Sequence, residues 1–331
     1  NPAMADRAMA LELSRRSLTI AEQSGDSEGL AFARIKLGYY FRNFEQDWDQ
    51  GMALYQQGLA YYRQQHDDYE TALLLDQMSM IYEVIGDQAN CDICVDEYER
   101  LTQVTGNPSL LAMNAFRQAV RTWRVGDYAG AESRYQTACE IFDALNDRYW
   151  MTSAYAQWAL VYASRTGDVE GAWDRLEATL EETLRLRNKE IEGYSQSFLG
   201  ILACIIEDYA EARRLSYAAM ACVPTHLYLV DGCSLALSWA ACAQGDYPMA
   251  WQHLQVYYGN YGHHFPAMFL LGLPTAAFIR IHDGQYETAA EILALIFTHP
   301  ISPVALFQRW PLLVRLRDDV FTVLGEAAFA A

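Results

Sequence analysis

Cys91 and Cys94 have two residues between them, the spacing at which paired thiols chelate zinc or exchange as a dithiol. Either chemistry needs a delivering context: a second ligand pair for zinc, or a strand feeding the motif into a helix for redox work. Neither is present, and the flanking apolar residues recur at helical spacing, so both thiols are expected as small residues in a helix seam. His263 and His264 are a second candidate, in an aromatic, glycine-containing loop from Tyr257 to Pro266, with His253 and His282 on either side. A metal would require a third convergent ligand that the spacing does not supply. An ordinary connection is expected there. The acid pairs Glu181-Glu182 and Asp318-Asp319 occupy adjacent helical positions, which point apart, and read as solvated faces. No Gly-x-x-x-x-Gly-Lys phosphate loop occurs, and no serine sits in a nucleophile-elbow context. The chain is therefore expected to be non-catalytic, with no cofactor and no metal.

What must position any functional residue is a phrase that returns along the chain. It reads GDYAGA at Gly126–Ala131, GDVEGA at Gly167–Ala172, EDYAEA at Glu207–Ala212, GDYPMA at Gly245–Ala250 and GQYETA at Gly284–Ala289. Weaker copies are GDQANC at Gly86–Cys91 and DWDQGMA at Asp47–Ala53. Taken from last residue to last residue, the steps are 38, 40, 41, 40, 38 and 39. A period near 40 residues signals an array of supersecondary units. Each interval holds two apolar stretches at helical spacing, such as Arg148 to Thr166 and then Ala172 to Leu186, with the phrase at the turn between them. Glycine ends the first helix in a left-handed conformation, aspartate caps the next, and the closing alanine lets two antiparallel helices approach. Strand alternation is missing.

The Gly-Asp-Tyr-x-x-Ala turn resembles that of the tetratricopeptide repeat (TPR) family, over roughly residues 1 to 298. The period exceeds the roughly 34 residues usual for that family, and the early Trp-Leu-Gly pattern is mostly missing. The longer helices look like the TPR-like superhelical domains of bacterial maltose-regulator-type activators and related STAND signalling ATPases. The resemblance implies an all-α, right-handed solenoid (1–298) with capping helices (299–331). It also implies a C-terminal sensor role beside an upstream ATPase module of the same chain. The opening helix, Met4 to Gln23, reads as the second helix of a repeat, as in a fragment of a longer protein. His299-Pro300 should stop a helix, Ser302 should cap one over Val304–Arg317, and Asp318–Ala331 should form the last.

In such arrays the first helix of each pair lines the concave groove. Six residues before each turn lie Met80, Val120, Val161, Ile201, Trp239 and Phe278, an apolar ladder expected at the groove floor. With Asp76, Arg117, Arg121, Arg124, Tyr155, Trp158, Tyr162 and Tyr194 it forms the candidate contact surface. An apolar strip with aromatic walls suits a protein or peptide segment laid in a groove, or a small-molecule inducer. A stand-alone scaffold and a peptide-pheromone receptor are the competing readings.

Composition narrows the partners. Twenty-four basic residues stand against 42 acidic ones, a net charge of −18, and Lys36 and Lys189 are the sole lysines. Such a surface repels phosphate backbones and anionic lipid, so direct nucleic-acid or membrane contact is not expected. No apolar run reaches the roughly 20 residues of a membrane span, and the opening segment lacks the apolar core of a secretory leader. Seven scattered cysteines fit a reducing cytoplasm.

Overall fold

The computed structural model describes residues 2–222, 227–259 and 265–325. Its side chains are described from residue 8 onward, except at 227 and 228. Every regular element among these residues is helical. After α1 (Pro2–Ser24) come the hairpins α2 (Ser27–Tyr40) with α3 (Trp48–Gln64), and α4 (Asp68–Val84) with α5 (Gln88–Thr105). Next are α6 (Pro108–Arg124) with α7 (Tyr128–Ala144), and α8 (Arg148–Thr166) with α9 (Val169–Leu186). Then follow α10 (Lys189–Ile205) with α11 (Tyr209–Cys222), α12 (Leu227–Ala243) with α13 (Tyr247–Tyr257), and α14 (Pro266–His282) with α15 (Tyr286–Thr298). Two further helices close the described chain, α16 (Val304–Phe307) and α17 (Pro311–Leu324). The chain forms two compact units, 1–114 and 115–331.

The recurring phrase builds its turns as its chemistry requires. Gly86, Gly126, Gly167, Gly245 and Gly284 all have positive φ. The aspartate that follows accepts a hydrogen bond from the N–H three residues on: Asp127 from Gly130 at 2.9 Å, Asp168 from Gly171 at 3.0 Å, Asp246 from Met249 at 3.1 Å. Ala131, Ala172, Ala212, Ala250 and Ala289 are fully buried. The earliest copy needs a correction. Asp47 is the cap of α3, accepting from Gln50 N–H at 3.0 Å, and the buried small residue four positions on is Gly51, while Ala53 is exposed. The cap, not the nearest alanine, sets the register.

In the first unit, Tyr55, Leu59, Tyr62, Leu74, Leu75, Ile81, Tyr98 and Leu101 make one core between α2–α3 and α4–α5. In the second, Phe116 meets Tyr135 edge-on at 5.9 Å, and Phe142 stacks on Trp150 at 6.4 Å, which ties α6, α7 and α8 together. The expected single helix over Val304–Arg317 is broken. Pro311 has no N–H to donate and disfavours helical backbone before it. Trp310 accordingly adopts φ −94°, ψ 100° and becomes the cap of α17. That last helix runs unbroken through Arg317 and Asp318, where the sequence predicts a boundary, and ends at Leu324 with Gly325 out of helical conformation; residues 326–331 of the helix expected to Ala331 lie outside the described residues.

Candidate interaction surface

The C-terminal segment after α15 decides which part of the second unit is open. It crosses the turns of three successive hairpins. Tyr128 Oη donates to the Ile301 carbonyl at 2.9 Å beside Gly126. Ala305 lies over Gly167, Trp310 Nε1 donates to Tyr209 Oη at 3.2 Å, and Arg315 pairs with Glu207. Leu306, Phe307, Trp310 and Leu313 are fully buried along this path. Two turn glycines are fixed by it as well as by their φ. A Cβ at Gly126 would stand 2.8 Å from Ile301 Cα, and one at Gly167 would stand 2.6 Å from the Ala305 carbonyl oxygen.

The expected ladder is therefore largely covered by the chain itself in this unit. Trp239 is 0% exposed, with Trp310 at 4.7 Å and Phe307 at 6.1 Å between ring centroids. Phe278 is 4% exposed and faces Trp310 at 5.9 Å. Val161 and Ile201 are buried too, while Val120 is half-buried. In the first unit Met80 is half-buried, its thioether 3.5 Å from Arg42 Nη1. Asp76 is buried in α4, where its Oδ2 accepts from Gln77 Nε2 at 3.2 Å.

The remaining expected contacts separate by environment. Arg117 lies over the Phe116 and Trp150 rings at 5.7 and 6.0 Å. Arg121 is half-buried, and Arg124 is buried with its guanidinium 4.3 Å from the Phe265 ring. Tyr194 stacks on Phe198 at 6.1 Å. Tyr155, Trp158 and Tyr162 are brought together on one face of α8. Tyr155 and Trp158 stack at 5.7 Å with planes 15° apart, and Arg175 of α9 lies 5.3 Å from Trp158 and 4.4 Å from Tyr162. Tyr162 Oη donates to Asp168 Oδ2 at 2.7 Å. That bond raises the Tyr162 hydroxyl above its ordinary range, while the Gly171 N–H and Tyr162 hydroxyl hold Asp168 below its own.

Beside this row a cleft of about 440 Å³ opens between α7 and α8, with Glu140, Asp143, Arg148, Met151, Tyr155 and Trp158 in its walls. Sequence reasoning found its aromatic wall but missed Glu140, Asp143 and Arg175. Those three lie on the second helices of their hairpins, outside the first helices expected to line the groove.

The reactive candidates have settled environments. Cys91 and Cys94 are buried on α5, and burial pushes the Cys94 thiol up to about 11, away from the thiolate form that metal or redox chemistry uses. His263 and His264 lie outside the described residues. His282 stacks on Tyr247 at 4.3 Å, and His253 is held below its usual range by burial and then by nearby Arg213. Among the described residues no three metal-ligating side chains converge, and no helix is long and apolar enough to cross a membrane. Glu181 and Glu182, expected to point apart, both reach Arg185, at 4.0 and 3.5 Å, because a long guanidinium stem spans both i+3 and i+4.

Repeated helix hairpins joined through aspartate-capped turns define the class, a tetratricopeptide-like helical-repeat fold. No protein-family model matches the chain, and no curated protein matches it. Among solved structures it is similar to a tetratricopeptide repeat protein from Parabacteroides merdae, at 14% identity over 88% of this chain and 98% of that one, TM-score 0.39. Yeast Tom70 is 11% identical over 98% of this chain, which spans 62% of the Tom70 chain, TM-score 0.42. A circular tandem repeat protein with novel repeat topology is 14% identical over 97% of this chain and 86% of that one, TM-score 0.22.

Proposed function

We propose that this chain is a non-catalytic binding module that serves as the sensing part of a larger bacterial signalling ATPase or transcription regulator. The observation that supports a segment-binding role is the C-terminal stretch from Ile301 to Leu313. It lies across three hairpins in cis, with Phe307 and Trp310 seated on Trp239. That segment covers Trp239 and Phe278, so the surface open to a second one is the aromatic row of α8, where Tyr155 is exposed. The upstream ATPase module rests on the resemblance of the turn phrase and long helices. A ligand would act there by binding the resting and active forms with unequal affinity.

The test has two parts. The gene upstream of this segment should encode a phosphate loop; its absence would favour the stand-alone scaffold. Charge reversal at half-buried Arg121 (Arg121→Glu) should cut recovery of the partner held by the intact protein at least tenfold, with the thermal melt retained. Unchanged recovery would overturn the assignment of this surface.

A further inference from the structure

We propose that the cleft between α7 and α8 is a receptor site for the guanidinium of an arginine on a partner segment. The inference rests on the segment-binding reading above and names what one part of that surface recognises. Three observations carry it. The cleft has the volume of a side-chain or small-ligand site, and its wall is an aromatic plane, Tyr155 stacked on Trp158 and 39% exposed. The thioether of Met151 adds a polarisable floor.

The same aromatic row already accepts a guanidinium from the chain itself. Arg175 lies over Trp158 and Tyr162 at cation–π distance, so the ring faces here are oriented to take one. Its charge is answered by Asp168, whose carboxylate it helps to keep ionised.

Charge decides the class of ligand. Glu140 and Asp143 are exposed at the rim, one turn apart on α7, and among the described residues no ion pair engages either. Glu140 Oε1 accepts only from Gln136 Nε2, at 2.9 Å. Their fields reach the ring wall: after burial and the neighbouring Cys139 thiol, Asp143 raises the Tyr155 hydroxyl, Arg175 acts against it, and Glu140 adds a smaller upward effect. Arg148 is the one cation of the lining, leaving the cleft a net negative site in a chain of charge −18. An anion would meet two carboxylates; a neutral apolar group would leave them unused. A planar cation pairs with the carboxylates by its edge and with Tyr155 by its face.

The probe is N-acetyl-L-arginine amide, titrated onto the whole chain by saturation-transfer NMR, with N-acetyl-citrulline amide as the neutral isostere and tetramethylammonium as a second cation. Arginine amide should bind at least fivefold more tightly than citrulline amide. The pair Glu140→Gln with Asp143→Asn, at exposed positions that leave the fold intact, should weaken it at least fivefold, and Tyr155→Leu should do the same. Arg148→Ala should tighten it severalfold. Equal binding of citrulline amide, or no loss in the Glu140/Asp143 pair, overturns the proposal. Tighter binding of tetramethylammonium than of arginine amide overturns the guanidinium assignment. Failure here, with Arg121-dependent partner recovery intact, leaves the segment-binding function standing.

Discussion

The Trp239 and Trp310 rings lie 4.7 Å apart between centroids, tilted by 36°, and neither ring reaches solvent. One belongs to the first helix of a hairpin, the other to the segment that follows the last hairpin. The contact makes the C-terminal segment part of the core of the second unit. Trp310→Ala removes the indole from between Trp239 and Phe278 and leaves Tyr209 Oη without its donor. Truncating a buried tryptophan costs about 3–5 kcal/mol. Urea unfolding followed by circular dichroism should show a loss of that size, with Trp310→Phe well below it. An effect under about 1 kcal/mol would mean that the segment is not seated on Trp239.

The turn glycines should fall into two groups. Gly245 has φ 74° with nothing within 4 Å of an added Cβ, so Gly245→Ala should cost only the left-handed strain, roughly 1–2 kcal/mol. Gly126 and Gly167 have the same strain and also the Ile301 and Ala305 backbone against them. Their alanine variants should loosen the C-terminal segment locally. Trypsin cleavage after exposed Arg309 reads this directly: it should rise in Gly126→Ala and Gly167→Ala and stay at the wild-type rate in Gly245→Ala. Equal rates in all three would remove the assigned role of Ile301 and Ala305.

Stability should fall at acid pH in part through Asp168. Its carboxylate accepts from Gly171 N–H and Tyr162 Oη, and its folded pKa lies below the ordinary 3.8. A depressed folded pKa means the unfolded chain binds the proton more readily. The contribution is complete above the ordinary value and disappears as the pH falls through the lower folded one. Comparing the pH dependence of unfolding for wild type and Asp168→Asn should show the gap between them closing at low pH. The Tyr162 hydroxyl of that variant should also titrate closer to the usual tyrosine range. A constant gap from neutral to acid pH would contradict the bond.

The intra-hairpin turns were legible because glycine, aspartate and alanine each answer a separate local demand: positive φ, a cap, and close helix approach. Three turns between hairpins use the same geometry with other residues, so they carry no visible phrase. His66, Asn146 and Arg187 hold positive φ there, followed by the caps Asp67, Asp147 and Asn188. Asparagine and histidine tolerate that region better than most side chains. The partner of the apolar ladder was not legible. Nothing local in Ile301 to Trp310 says that this stretch returns to Gly126 and Trp239, because a contact more than 170 residues distant in sequence, such as Tyr128 with Ile301, leaves no periodic trace. The aromatic row of α8 was found by residue type, and its facing carboxylates were missed because an exposed acid on a second helix looks like any solvated face.

Glu207 stands where the other late copies of the phrase have glycine, and it holds φ 63°. Left-handed backbone costs a residue with a side chain roughly 1–2 kcal/mol relative to glycine. What opposes the exchange is Arg315 of the C-terminal segment, which pairs with Glu207 with both side chains partly exposed; such pairs contribute about 0–1 kcal/mol. Glycine also lowers stability by loosening the unfolded chain, by about 0.4–1 kcal/mol. In wild type the three effects nearly cancel, so Glu207→Gly should shift the melting temperature little. In an Arg315→Ala background the ion pair is already gone, and the same exchange should be more favourable by the pair's worth. The double-mutant cycle isolates that coupling. A coupling energy of zero would show that the strained glutamate is not held by the segment that crosses it.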